Sequence, residues 1–144
     1  MKIYCDSSVL IAASVSDHPH HQQAFALMRQ VHDKALKAYT STHGLAEFFA
    51  VLTRAPFQPP IYPSEVWQLL SANVLPHFRI VALDAGQYRD VLQNAAAKGW
   101  AGGLIYDALH LAAAESANCE RVYTFNLRHF RQLTAAGDPR ICTP

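Results

Sequence analysis

The sequence predicts an α/β domain built on a mostly parallel central sheet of four or five strands, with helices on both faces. Three observations carry that reading. Short apolar runs alternate with stretches of helical spacing, the pattern of strand–helix–strand units whose strands pair in parallel. Residues 104–114 read as a helix that is apolar on almost every face, interrupted only by Tyr106, Asp107 and His110, so this helix belongs inside the domain. Two polar residues, Asp6 and Asn126, follow the first and fourth strands, at the sheet edge where ligands bind in open α/β folds.

Taken in order, residues 2–5 form a short strand that ends at Asp6. Asp6, Ser7 and Ser8 precede the apolar run 9–13 and start a helix, because a side-chain oxygen there takes an orphan backbone N–H. Residues 17–19 turn the chain. Residues 20–34 return to helical spacing with Ala24, Leu27, Met28 and Val31 on one stripe. Residues 36–40 are a second strand. Thr42 is expected to cap the next helix, whose stripe Leu45, Phe48, Phe49 and Leu52 runs i, i+3, i+4, i+7. On that stripe Glu47 points away, about 200° round from Leu45 at about 100° per residue.

Residues 55–63 hold four of the eight prolines and form a loop within one domain. Ser64 begins a helix with Val66, Trp67, Leu70 and Val74 as its apolar side, closing before Pro76. Residues 79–83 are a third strand. Asp84 and Gln87 have capping-box spacing for a helix that runs to Lys98 and ends at Gly99. Residues 121–124 are a fourth strand, leading through Phe125 and Asn126 into a short helix to Leu133, and residues 141–143 form a last edge strand.

A chain of 144 residues suits a single domain, residues 1–144, with one well-developed core. Hydrophobic residues make up 51% and charged residues 16%, which excludes the disordered class. The formal net charge is +1, so a nucleic acid would be held by a local patch and not by a general positive field. Cys5, Cys119 and Cys142 are odd in number and lack the paired spacing of a zinc site, and are expected to be reduced thiols of a cytoplasmic protein. No apolar stretch approaches the ~20 residues of a membrane span, and nothing at the amino terminus reads as an export signal.

The polar residues at strand ends or interrupting apolar helices are Asp6, Glu47, Asp107 and Asn126. An ionised carboxylate in an apolar lining costs several kcal/mol unless a cation or hydrogen-bond donors meet it. Carboxylates about 4 Å apart repel by roughly 4 kcal/mol per pair at an effective dielectric near 20, so a cluster needs raised pKa values or a cation. All-oxygen ligands select a hard ion, Mg²⁺ or Mn²⁺, whose open positions suit hydrolysis of a phosphodiester. Read singly, each acid also has a structural role: Asp6 as a helix cap, Glu47 as a solvated helix position, Asp107 as an acid bonded to backbone or a histidine.

Four motifs occur in order: Asp6-Ser7-Ser8-Val9-Leu10-Ile11, Thr42-His43-Gly44-Leu45-Ala46-Glu47 followed by Val51-Leu52-Thr53-Arg54, Ile105-Tyr106-Asp107-Ala108-Leu109-His110-Leu111-Ala112-Ala113-Ala114, and Thr124-Phe125-Asn126-Leu127-Arg128-His129-Phe130. Together they resemble the PIN domain, and within it the VapC toxins of bacterial and archaeal toxin–antitoxin pairs, from Met1 to about Leu133. The resemblance implies a three-layer fold and a metal-dependent endoribonuclease that cleaves RNA with a metal-bound water. It further implies a homodimer restrained by a cognate VapB-like antitoxin. Asp6 and Asp107 match the principal Mg²⁺ ligands, Glu47 the second acid, and Ser8 a polar position near the first Asp. Asn126 stands where the family commonly has a fourth acid. It can orient a water but adds no negative charge, which implies one firmly held ion.

For an RNA substrate, Arg128 and Arg131 are the best-placed phosphate contacts, with Arg54 next, and His129 is a candidate for RNA contact or for orienting a ligand. His110 and His43 each lie one turn from an acid, Asp107 and Glu47, with core packing and orientation as equal alternatives. His18, His20 and His21 read as solvated surface. Trp100 and Phe57 could stack on bases or simply pack. The missing fourth acid leaves a second hypothesis, a PIN-like module that binds RNA or a protein without cutting. A phosphate-accepting receiver or phosphatase domain is disfavoured, since no second Asp stands beside Asp6 and no Lys follows the last strand.

Overall fold

The computed structural model describes residues 1–144. Its elements are β1 (Lys2–Cys5), α1 (Ser7–Ser14), α2 (His21–His32), β2 (Lys37–Ser41), α3 (Thr42–Arg54), α4 (Pro63–Leu69) continued by a π-helical turn (Leu70–Val74), β3 (Phe78–Val81), α5 (Ala85–Lys98), α6 (Leu104–Ser116), β4 (Arg121–Tyr123), α7 (Leu127–Leu133) and β5 (Ile141–Cys142). The five strands form one sheet in the order β3-β2-β1-β4-β5, and every neighbouring pair is parallel. β1 is therefore the middle strand, and its carboxyl end is where the chain delivers Asp6.

Alternate residues of a strand face opposite sides of the sheet. Ile3 and Cys5 join a first core with Val9, Leu10, Leu27, Phe48, Leu52 and Val66 from α1 to α4. Tyr4 points the other way, into a second core with Ala108 and Leu111 of α6 and Phe130 and Leu133 of α7. All three strand residues are fully buried, as a central parallel strand covered on both faces requires. No helix is long and apolar enough to cross a membrane.

Local signals set several element ends. Asp84 and Gln87 exchange side-chain and backbone hydrogen bonds at 2.8 and 2.9 Å at the start of α5, and Gly99 ends it in the left-handed region at φ 72°. Three expectations need correction. Ser41, not Thr42, caps α3: β2 runs straight into the helix, and the Ser41 hydroxyl accepts the Gly44 N–H at 2.9 Å. The buried line of α3 is Gly44, Phe48 and Leu52, while Phe49 is 38% exposed. The whole helix is rotated from the expected stripe because its amino-terminal half must also meet α6, and that rotation turns Glu47 inward. In the same way Val66, Leu70 and Val74 recur at four-residue steps and are buried, whereas Trp67, one residue round from that line, is exposed.

Candidate active site

Asp6 is the N-cap of α1 and is 1% exposed. Its Oδ1 accepts the Val9 N–H at 3.2 Å and the Ser8 hydroxyl at 2.5 Å, and its Oδ2 accepts the Thr124 hydroxyl at 2.5 Å. The two hydroxyls are themselves held from the loop after β4: Ser8 Oγ accepts the Phe125 N–H at 3.0 Å and Thr124 Oγ1 the Asn126 N–H at 2.8 Å. Each hydroxyl thus relays a backbone donor to the carboxylate, and such chains polarise one another in a low dielectric. Burial pushes the Asp6 carboxyl above its ordinary value, and the His110 imidazole and the three donors pull it back without cancelling the effect.

Glu47 comes in from α3, half-buried. Its Oε1 receives the Ser7 hydroxyl at 3.2 Å, lies 3.2 Å from His43 Nε2, and is in close contact with His110 Nε2. All of these contacts fall on one oxygen, so Oε2 keeps its lone pairs. Burial raises the Glu47 carboxyl, but His110 and His43 beside Oε1 outweigh it and bring the value down to about 2. His110 does not bond Asp107, one of the two expected alternatives. Its Nε2 meets Glu47 and its Nδ1 lies 2.7 Å from the Tyr4 hydroxyl, with the residue fully buried.

Asp107 lies in the first turn of α6, one turn before His110 and 8% exposed. Its Oδ2 is 3.0 Å from Nδ1 of the half-exposed His129, which leaves Oδ1 without a protein partner. Burial raises its carboxyl; His129 opposes the shift and the negative charge of Asp6 adds to it. Asp6 and Asp107 therefore act on one another by charge, and His110, which bonds Glu47, bears on both without touching either. None of the three acids pairs with Lys or Arg. The ligand atoms that all lie within 4.8 Å of one another are those of His43, Glu47 and His110, not those of the three acids; what Asp6, Glu47 and Asp107 offer is carboxylate oxygen, the donor type of a hard divalent cation.

Asn126 precedes α7 as its N-cap residue; it is exposed and makes no capping bond with its side chain. Arg128 and Arg131 are exposed on α7, and Arg54 is exposed at the end of α3. The two aromatic candidates are half-buried: Trp100 lies against the second core with Lys98 Nζ 5.2 Å above its ring, and Phe57 against the first core. His20 is not merely solvated, since it stacks on Phe125 with centroids 4.4 Å apart and planes 9° apart. His21 bonds the Ala12 carbonyl at 2.9 Å. All three cysteines are free thiols.

Sequence reasoning misses Thr124 and Ser7 and the joint grip of His43 and His110 on Glu47. The pair Ser7–Glu47 spans 40 positions and the pair Thr124–Asp6 spans 118, so no local pattern marks them. The His43–Glu47 half does carry a signal, the i, i+4 spacing that puts two side chains on one helix face.

A family model described as PIN domain matches residues 3–135. Ribonuclease VapC40 of Mycobacterium tuberculosis is 35% identical over 124 residues, 85% of each chain. Among solved structures, VapC20 of Mycobacterium tuberculosis, a sarcin–ricin loop cleaving toxin, superposes with a TM-score of 0.70 at 16% identity, covering 89% of this chain and 92% of that one. VapBC2 from Rickettsia felis, bound to a DNA fragment from its promoter, gives 0.66 at 17% identity over 100% and 98% of the two chains.

Proposed function

The chain belongs to the PIN-domain family, and on that footing we propose that it is an endoribonuclease dependent on Mg²⁺ or Mn²⁺ and the toxin of a VapBC-type pair. The observation that carries the reading is the state of the acids: Asp6 after β1 and Asp107 on α6 are both buried and neither meets a Lys or Arg, so burial pushes both carboxyls up and the charge of Asp6 adds to the shift at Asp107. Only a cation makes that arrangement favourable once both are ionised. The identity with Ribonuclease VapC40 supports RNA as the substrate.

In this reading Asp6, Asp107 and Glu47 hold the ion. When bound, it would polarise a phosphoryl oxygen and lower the pKa of a water. The chain's own part is orientation. Ser8 and Thr124 fix both oxygens of Asp6, and His129 fixes Asp107 through Oδ2 so that Oδ1 stays available. His43 and His110 keep Glu47 ionised at neutral pH. The Asn126 amide, free of any capping duty, orients the attacking water. Arg128 and Arg131 meet backbone phosphates, and His129 keeps half its ring exposed toward the RNA.

The proposed partner is a VapB-like antitoxin, which the likeness to VapBC2 supports; a homodimer in the cytoplasm completes the same reading. Exposed Phe49 and Val51 on α3 and Tyr62 and Trp67 near α4 would serve such interfaces. Residues 1–144 act as one domain in this account, because both cores are built on the same sheet.

Cleavage of structured and unstructured RNAs, with Mg²⁺ or Mn²⁺, compares the wild type with Asp6→Asn and Asp107→Asn. Each variant is expected to lose more than the roughly 10–100-fold that follows removal of a metal ligand's supporting partner. Equal cleavage by all three proteins overturns the reading.

A further inference from the structure

α3 and α6 meet at a cluster of mixed donors. One ligand atom from each of His43, Glu47 and His110 lies within 4.8 Å of the other two. The i, i+4 spacing on α3 puts His43 and Glu47 on one face, and His110 closes the triangle from α6. Two imidazoles and a carboxylate are the donor chemistry of Zn²⁺ and related first-row ions, not of Mg²⁺.

Three features of the cluster fit an ion better than a plain hydrogen-bonded triad. The His43 Nε2 atom is buried yet makes no hydrogen bond, although it lies 3.2 Å from Glu47 Oε1. That separation matches the edge of a tetrahedron, about 3.3 Å, whose metal–ligand bonds are about 2.0–2.1 Å long; the His110–Glu47 contact is closer and must open toward that length to admit an ion. The far nitrogen of His110 is held by the Tyr4 hydroxyl at 2.7 Å, the outer contact that fixes the ring of a metal-ligating histidine. The His43 ring is fixed in turn by stacking on Tyr106, with centroids 5.2 Å apart and planes 13° apart.

We propose that His43, Glu47 and His110 form a three-ligand site for Zn²⁺ or a similar transition metal, separate in donor chemistry from the oxygen site at Asp6 and Asp107. A fourth, open position would be taken by water. Glu47 belongs to both sets. An ion on Oε1 weakens the pull of the same carboxylate on a second cation at Oε2 and so slows the nuclease, a consequence that rests on the function proposed above.

The test uses the full chain stripped of metal and titrated with Co²⁺ and then Zn²⁺ alone, followed by visible absorption and calorimetry. One equivalent of Co²⁺ is expected, with the intense ligand-field bands of a four-coordinate ion that Zn²⁺ abolishes. His43→Ala should weaken Zn²⁺ binding at least about tenfold, while Asp6→Asn should leave it within about twofold. Far-UV dichroism and urea midpoints check that the variants fold; His43 is the residue chosen because its side chain is 17% exposed, against 2% for His110. Absence of stoichiometric Co²⁺ bands in the wild type, or equal Zn²⁺ affinity in His43→Ala, overturns the site. In a second arm, Zn²⁺ should suppress Mg²⁺-supported RNA cleavage at least about tenfold more strongly in the wild type than in His43→Ala. Absence of cleavage in every protein would count against the nuclease reading, and the binding arm would still decide the metal site.

Discussion

The hydroxyl of Thr124 lies 2.5 Å from Oδ2 of Asp6 while it accepts the Asn126 N–H at 2.8 Å, so a single side chain ties the loop after β4 to the acid after β1. Removing that hydroxyl strips a buried carboxylate of one donor and frees the loop that carries Asn126. Thr124→Val is close in volume but cannot donate. It should destabilise the fold by about 1–3 kcal/mol and weaken Mg²⁺ binding by roughly 10–100-fold. Urea denaturation and calorimetric Mg²⁺ titration measure the two effects; wild-type Mg²⁺ affinity in Thr124→Val would show that the hydroxyl does not position Asp6.

The acids predict opposite pH behaviour. Asp6 and Asp107 sit above their ordinary value of 3.8, so they favour the fold while protonated and withdraw that support as pH rises past 3.8 toward their folded values. Glu47 is lowered from 4.5 to about 2, so it supports the fold above 4.5 and loses that contribution as pH falls toward about 2. In EDTA near neutral pH, Asp6→Asn should therefore have a higher urea midpoint than the wild type, since Asn caps a helix as well as Asp and carries no charge to bury. Millimolar Mg²⁺ should narrow or reverse the gap. A wild type that is the more stable protein in EDTA contradicts the assignment of Asp6 as a destabilised, cation-seeking acid.

Gly44 sets the approach of α3 to α6. A Cβ there would lie 2.9 Å from Thr40 Oγ1, 3.2 Å from His110 Cε1 and 3.4 Å from Ser41 Oγ. Alanine gains about 1 kcal/mol of helix propensity, but overpacking costs about 1–3 kcal/mol, and the buried, β-branched Thr40 has little room to turn. Gly44→Ala should lower the urea midpoint and displace His110 from Glu47, visible as a shifted imidazole resonance in NMR. A stabilised protein with an unshifted His110 would place the helix contact elsewhere.

Leu52 anchors the other end of α3 in the first core and is fully buried. Leu52→Ala should cost about 2–5 kcal/mol, read as a lower thermal midpoint. Phe49→Ala on the same helix removes a larger side chain, yet 38% of it is already in water, so its effect on the isolated chain should be the smaller.

Features decided by residues close in sequence are legible in the sequence itself. The cap of α5 by Asp84 and Gln87, its stop at Gly99, and the α2 stripe of Ala24, Leu27, Met28 and Val31 all stand in the fold as their spacing predicts. The facing of α3 is not legible in the same way. Leu45, Phe48, Phe49 and Leu52 satisfy a helical stripe, but which of them is buried depends on where α6 crosses, and α6 begins fifty residues after α3 ends. The acids stand out as polar residues in apolar settings, whereas their partners do not. Spacing pairs His110 with Asp107, its neighbour on the helix, and the fold gives it instead to Glu47, 63 positions away, and to Tyr4, 106 positions away.

Tyr4 belongs to the middle strand, His110 to the layer on one side of the sheet, and Glu47 to the layer on the other. One imidazole thus rivets three slabs of the molecule together at the rim where the acids gather. A slide of either slab must bend this rivet, so the seat of the Glu47 carboxylate is tied to how the two layers pack on the sheet.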